Sequence, residues 1–396
     1  MSEVHKGNGK AGNGGAGSNG RTCSDAFVEA WSDNYFLKTR AIVQKFGDMP
    51  VTYAVFMRRP VLFTPRLMIE WLEGMAKARN TEFKIDLNYQ EGDWVGAGEP
   101  LMYVSGSFVH LVDLETLYLQ KLGSACVAAY NAYTMCMDLP DVAFLAMDSR
   151  HCAGTEMAEM MAYAAAVGSE AARKRANVKG FIGNATNSTA HFFDQEGGKG
   201  TMPHALIGYA GSTLRAAEMY AEVYPDSPLT ILVDYYGKEI TDALTVCHRF
   251  HDKAMAGDIS VRLDTHGGRF IEGLDPQSSY AVLERHAPEA IRRYRNETEL
   301  RYLTGTGVSA AAIYHMREQL DQAGYDNVKI VVSSGFGVKK CKVMADLNAP
   351  IDMVGTGSFL PEYWPETYAT ADIVSYNGRP SIKVGREFLL HKTGTP

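Results

Sequence analysis

From Val142 onward the chain repeats one rhythm. Short apolar, β-branched runs of strand length alternate with longer stretches whose apolar residues recur at helical spacing. Strands are expected at Val142–Met147, Gly180–Gly183, near Met202–Leu206, Leu229–Asp234, Ile259–Asp264, Lys329–Ser333 and Ile351–Gly355. The amphipathic runs between them are Gly154–Ala176, Ala210–Val223, Thr241–Ala256, Pro276–Tyr294 and Ser309–Ala323. Strand–helix alternation implies a parallel sheet with right-handed crossovers. About seven units favour a parallel (β/α) barrel, complete or incomplete, over an open doubly wound sheet. No GxGxxG follows the first strand, which weakens a dinucleotide-binding reading.

The earlier part of the chain reads differently. Residues 23 to about 48 and Leu62–Arg79 are helical candidates. Val51–Arg59, Phe83–Tyr89 and Pro100–Gly106 are strand-like, and a long helical pattern runs from Leu111 to about Met137. The expected organisation is a disordered Gly-rich tail (1–22), an α+β module with a linking helix (23–138), and the barrel (139–366). C-terminal β segments (367–396), at Asp372–Tyr376 and Ser381–Val384, are expected to rejoin the N-terminal module.

Composition narrows the function. With 46% apolar and 21% charged residues and a net charge of −7, the chain is expected to be an ordinary soluble protein without a nucleic-acid or membrane-surface partner. No run approaches the roughly twenty apolar residues of a membrane span. The first twenty residues lack the apolar core of a signal peptide. The six scattered cysteines form no CxxC or Cys/His ligand spacing and read as reduced thiols in a cytoplasmic protein.

In a barrel, chemistry collects where the strands end. Those positions here carry Asp148-Ser149-Arg150-His151, Thr186-Asn187, His204, Asp234, and Arg262 with Asp264. Two glycine turns follow the last two strands, Ser333-Ser334-Gly335-Phe336-Gly337 and Gly355-Thr356-Gly357-Ser358. Free backbone N–H groups in two consecutive turns of this kind suit a phosphate. Arg262 and Asp264 alternate to the same side of their strand, so an Asp-oriented arginine fork for an anion is expected if that side is the barrel mouth. Arg150 is a second anion clamp. The set contains no Ser-His-Asp arrangement, no paired glutamates and no Schiff-base lysine inside a strand, and it fits a multiply anionic phosphorylated substrate better than hydrolysis.

Together these motifs resemble the nicotinate phosphoribosyltransferase family, in order and from about residue 25 onward. Ser32-Asp33-Asn34-Tyr35-Phe36-Leu37-Lys38-Thr39 resembles the family's T-D-x-Y-x-x-x-T element. Gly98-Glu99-Pro100-Leu101 and Leu114-Glu115-Thr116 resemble its E-P-L strand and V-E-T helix. Asp148–His151 resembles F-G-x-R-R, Thr186-Asn187 resembles T-S-N, Gly200-Thr201-Met202-Pro203-His204 resembles G-T-x-x-H, and Val261–Asp264 resembles V-R-L-D. Ser334-Gly335 and Val354-Gly355-Thr356-Gly357 are similar to the two phosphate turns. The chain departs from the family at His151, at Thr265-His266-Gly267, where D-S-G-D is common, and at Phe336, where S-G-D is common.

The resemblance implies transfer of phosphoribose from phosphoribosyl pyrophosphate to nicotinate, with Mg²⁺ and with ATP as co-substrate, in NAD biosynthesis. It implies that His204 is phosphorylated by ATP and that Arg262 pairs with the nicotinate carboxylate, with Tyr35 stacked on the pyridine ring. Ser334, Gly335, Gly355, Thr356 and Gly357 would bind the 5-phosphate. Arg150, aided by Thr186 and Asn187, would face the pyrophosphate. Asp264 and Asp234 would orient Arg262 or bind ribose hydroxyls. A homodimer is also implied, in which Tyr35 serves either its own or the neighbour's site. The rivals are a relative acting on nicotinamide or quinolinate, a catalytically silent relative, and an unrelated phosphate-binding barrel lyase or isomerase.

Overall fold

The computed structural model describes residues 23–357 and 367–390; the expected Gly-rich tail lies outside them. The strands in chain order are β1 Pro50–Met57, β2 Val61–Leu62, β3 Lys84–Leu87, β4 Trp94–Val95, β5 Pro100–Ser107, β6 Ala143–Ala146 and β7 Gly180–Asn184. They continue with β8 Leu229–Leu232, β9 Ile259–Leu263, β10 Lys329–Val332, β11 Met353–Thr356, β12 Ala369–Tyr376 and β13 Arg379–Pro380.

Six of these strands form one sheet in the order β7-β6-β11-β10-β9-β8, and each adjacent pair is parallel. All four residues of β6 are buried, as expected of a strand covered on both faces. The two edges, β7 and β8, are consecutive in the chain. This is a barrel left open between them, with no closing pair among the described residues.

The opening lies where the sequence suggested a short strand near Met202–Leu206. That segment is instead an extended loop leading into a helix, His204–Ala210. Three glycines within Gly197–Gly200 offer no side chains to pack on a sheet. Pro203 has no N–H for a ladder, yet it can stand immediately before a helix. Gly211, with φ 79°, ends the helix in the left-handed conformation.

A second sheet has the order β13-β12-β1-β5-β3 and is antiparallel. The C-terminal strand β12 thus returns to pair with β1. The second tail strand is not at Ser381–Val384 but at β13, because Asn377 (φ 49°) and Gly378 (φ 74°) make the tight two-residue hairpin turn earlier.

The long helix Glu115–Asp138 joins two apolar cores. Leu117, Tyr118 and Leu122 pack under the antiparallel sheet, while Ala129, Ala132 and Met135 pack under the parallel one. Two glycine contacts fix this arrangement: a methyl on Gly123 would run into the Thr367 carbonyl, and one on Gly168 into the Ala129 carbonyl. No described helix is long and apolar enough to cross a membrane.

Candidate active site

The C-terminal ends of the parallel strands open into a cleft of about 2160 Å³. Arg262 is its central cation. It sits on β9 beside Val331 of β10, so its guanidinium meets Ser333 at the end of the neighbouring strand. Nε donates to Ser333 Oγ (2.9 Å), Nη1 to Thr201 Oγ1 (2.9 Å) and Nη2 to Asp264 Oδ2 (3.4 Å). Ser333 in turn donates to Asp264 Oδ1 at 2.8 Å. Burial pushes the Arg262 pKa below the usual arginine range; Arg150 adds to that, while Asp264 and Asp234 oppose it. The guanidinium is therefore fixed and only partly neutralised.

The alternation of Arg262 and Asp264 does bring the two side chains together, and Asp264 is the partner that orients the arginine. Asp234 holds a different residue. His204 Nε2 lies 3.0 and 3.1 Å from its two carboxylate oxygens, and the imidazole is 43% exposed. The backbone at Asp234 is fixed from behind: Arg269 donates to the Asp234 main-chain carbonyl (2.9 Å) and to the fully buried Glu239 (2.5 Å).

The two glycine turns lie side by side. Ser334 (φ 75°) and Gly335 (φ 70°) are both left-handed. Gly357 admits no side chain, since an added methyl would stand 2.9 Å from Asp148 Cα, and one on Gly355 would stand 2.6 Å from Met147 Sδ and displace that side chain. Ser334, Gly335, Gly355 and Gly357 line the cleft. Thr356 does not offer its hydroxyl there. It is buried and donates to the Phe336 carbonyl (2.5 Å), tying the second turn to the first.

Arg150 and Thr186 also line the cleft. Arg150 Nε contacts His151 Nε2 at 3.1 Å, and the Thr186 hydroxyl shares a hydrogen bond with Thr189 at 2.7 Å. Asn187 is absent from the lining; its Oδ1 accepts from Gly198 N (2.9 Å) and pins the glycine-rich loop that carries Lys199. Tyr35 lies outside the cleft, 61% exposed on the helix Asn34–Phe46 and against Phe36.

Several lining or supporting residues have no role assigned from the sequence. Thr201 and Ser333 hold Arg262 from loops 61 and 71 residues away. Lys199 and Arg66 add cations to the walls, with Arg66 stacked over Tyr163 and Phe192. Asp148 is buried beside the second turn, its pKa raised by burial, and accepts from the Cys152 thiol (3.3 Å). A positive charge within a glycine run was the available signal for Lys199. Arg66 belongs to the N-terminal module and carried none.

Neither a protein-family model nor a curated protein sequence matches the chain. Solved structures do. The nicotinate-nucleotide pyrophosphorylase of Pyrococcus furiosus is 22% identical and matches over 91% of this chain and 79% of that one, with a TM-score of 0.66. Human nicotinic acid phosphoribosyltransferase is 15% identical over 90% of this chain and 76% of that one, with a TM-score of 0.58. NadC from Streptococcus pyogenes is 14% identical over 89% of this chain and 95% of that one, with a TM-score of 0.53. The chain has the type II phosphoribosyltransferase fold that these structures share.

Proposed function

We propose that this protein is a phosphoribosyltransferase of NAD synthesis that joins nicotinate to phosphoribosyl pyrophosphate, coupled to ATP hydrolysis. One observation carries the reading. A single cleft holds a fixed, under-neutralised arginine and two side-by-side glycine turns, and so has places for a carboxylate and for a phosphate. The Pyrococcus and human neighbours are named for reactions with a pyridine base of this kind.

In this reading the 5-phosphate rests on the Ser334-Gly335 and Gly355–Gly357 turns, whose backbone N–H groups suit an anion. The base carboxylate meets Arg262, a guanidinium whose planar fork matches it. As the ribose C1–O bond breaks, its electron pair leaves with pyrophosphate, and the pyridine nitrogen's pair forms the new bond to C1. Arg150 and Lys199 stand on the walls where the departing charge needs cations. Alignment and electrostatics therefore supply the catalysis, with no proton transfer at C1.

No group of three or more His, Cys, Asp or Glu side chains among the described residues is arranged to hold a metal ion. Mg²⁺ would enter with phosphoribosyl pyrophosphate and offset the negative charge of the departing pyrophosphate. ATP phosphorylates His204. Because Asp234 accepts from Nε2–H, the lone pair is left on Nδ1, the nitrogen that takes the γ-phosphoryl group. Tyr35, exposed on its own subunit, would stack on the base in the site of a partner copy, which makes the working unit a homodimer.

A second reading has one observation in its favour. Arg66 and Lys199 join Arg150 and Arg262 in the walls, enough cations for a base with two carboxylates such as quinolinate. The test is pyrophosphate release from phosphoribosyl pyrophosphate and Mg²⁺ with nicotinate, nicotinamide or quinolinate, each with and without ATP. Release with nicotinate alone, stimulated by ATP, is expected. Release with quinolinate selects the second reading, and no release with any base overturns both.

A further inference from the structure

Beneath the first glycine turn lies a buried cationic side chain that the proposed reaction leaves unused. Lys340, in the helix Val338–Asp346, is 6% exposed. Its Nζ donates to the Ser334 carbonyl at 2.9 Å. The amine lies over the Phe336 ring, 4.0 Å from the centroid, and 5.8 Å from that of Tyr302. Its charged or titratable neighbours are Cys341, Arg301 and Asp264. Burial pushes the Cys341 thiol far up, and the Asp264 carboxyl is already engaged by Arg262 and Ser333. A lysine set between two rings and one carbonyl is poorly solvated, and its proton is held loosely. Burial pushes its pKa down to about 7, with Arg301 adding to the shift.

The same lysine braces the backbone it touches. Ser334 is a non-glycine residue at φ 75°, a conformation that persists only when its surroundings enforce it. A neutral amine still donates one N–H to the Ser334 carbonyl, so the brace survives loss of the proton. What changes is the charge directly behind the turn.

We propose that Lys340 is a positioning residue of the Ser334-Gly335 turn, and that a phosphate dianion binds this turn together with one proton, which the Lys340 amine takes up. The inference rests on the reading of Ser334-Gly335 as a phosphate turn. With the cleft empty, burial favours loss of the amine's proton, and a bound dianion on the other side of the peptide makes the ammonium the favoured form. The sign follows: between the titration of the free and the occupied site, binding consumes a proton, so affinity falls as pH rises, by about tenfold per unit for one full proton.

Ribose 5-phosphate is the probe. Its monoester, with a second pKa of about 6, is already a dianion at pH 8. Calorimetric titration at pH 8, in two buffers of different ionisation enthalpy, reads the protons exchanged. Uptake of about half to one proton per ligand is expected for the unaltered protein, with none for Lys340→Met and a pH-independent affinity in that variant. Lys340→Arg, always charged, should keep tight binding at pH 8 and also take up no proton. It decides the matter if the methionine variant does not fold. Binding without uptake in the unaltered protein, or uptake that persists in either variant, overturns the inference and leaves the phosphate turn standing. No binding by the unaltered protein overturns both.

Discussion

Two arginine–aspartate pairs, one in the N-terminal module and one in the cleft, solve their burial in opposite ways. In the N-terminal module Arg79 grips Asp113 with both arms of its fork, at 2.7 and 2.8 Å. It also reaches Asp25 and the His110 carbonyl, while Arg40 adds a second cation to Asp113 at 2.9 Å. The two side chains are 2% and 0% exposed, and the carboxylates outweigh burial to push the Arg79 pKa up. In the cleft, Arg262 reaches Asp264 with one nitrogen at 3.4 Å and spends its other donors on hydroxyls, and its pKa is pushed down. The first network closes on itself. The second is fixed but electrostatically incomplete, and a site for an anion requires that state. An arginine–aspartate pair is thus structural or functional according to whether its charge is satisfied inside the protein, a distinction that residue types alone do not make.

The largest expected effect breaks the closed network. Arg79→Met leaves the buried Asp113 with Arg40 alone, and removing one partner of a buried pair costs about 3 kcal/mol or more. Thermal unfolding should show a fall in Tm of several degrees, with the remaining folded fraction still able to release pyrophosphate. An unchanged Tm would mean that the network contributes nothing to the fold.

Arg262→Gln should invert that outcome. The Tm is expected to stay close to that of the unaltered protein, while kcat/KM for nicotinate falls about 10²- to 10³-fold, the scale for loss of a buried charge-assisted pair. Turnover of nicotinamide, where measurable, should fall much less. Equal losses for both bases would remove the carboxylate-reading role from Arg262.

His204 and Asp234 extend the comparison to a pair that is half open. His204→Ala is expected to abolish stimulation by ATP and to leave a slow ATP-independent release of pyrophosphate. Asp234→Asn keeps a hydrogen-bonding partner but loses the charge that fixes the ring, and should weaken the stimulation about 10- to 100-fold, as outer-shell partners of histidine do elsewhere. Full ATP coupling in the alanine variant would end the phosphohistidine assignment.

How much of this was legible in the sequence depends on how local each signal is. The buried parallel strands are continuous apolar runs, and the cleft residues at their ends are the polar letters that follow them, so both can be read along the chain. The side shared by Arg262 and Asp264 follows from alternation within three residues. Met202–Leu206 misleads because Met202, Leu206 and Ile207 are apolar at a spacing that suits either element, and only Pro203 with the preceding glycines separates them. The restraints on Arg262 come from Thr201 and Ser333, and Arg66 comes from the other module; no local pattern announces such meetings. Asn187 and Thr356 were read as ligand contacts because their side chains suit an anion. In the fold, those side chains hold the cleft's own loops in place.

The smallest effect concerns Glu115, an acid of the N-terminal module that stands outside the Arg79–Asp113 network. Glu115 opens the long helix half-buried. Burial, and after it Asp372 and Asp33, pushes its carboxyl up to about 8. An acid whose pKa is higher in the fold than in the unfolded chain binds more protons in the fold. Stability then declines as pH rises from about 4.3, the ordinary glutamate value, to about 8, and levels off above that. Glu115→Gln removes this slope: its Tm should match that of the unaltered protein near pH 4 and exceed it by a few degrees at pH 8.5. If the two unfolding curves instead run parallel across that range, Glu115 is ionised in the fold, and the module keeps a buried carboxylate without a cation. The contrast with Asp113 would then fail at the point where it is weakest.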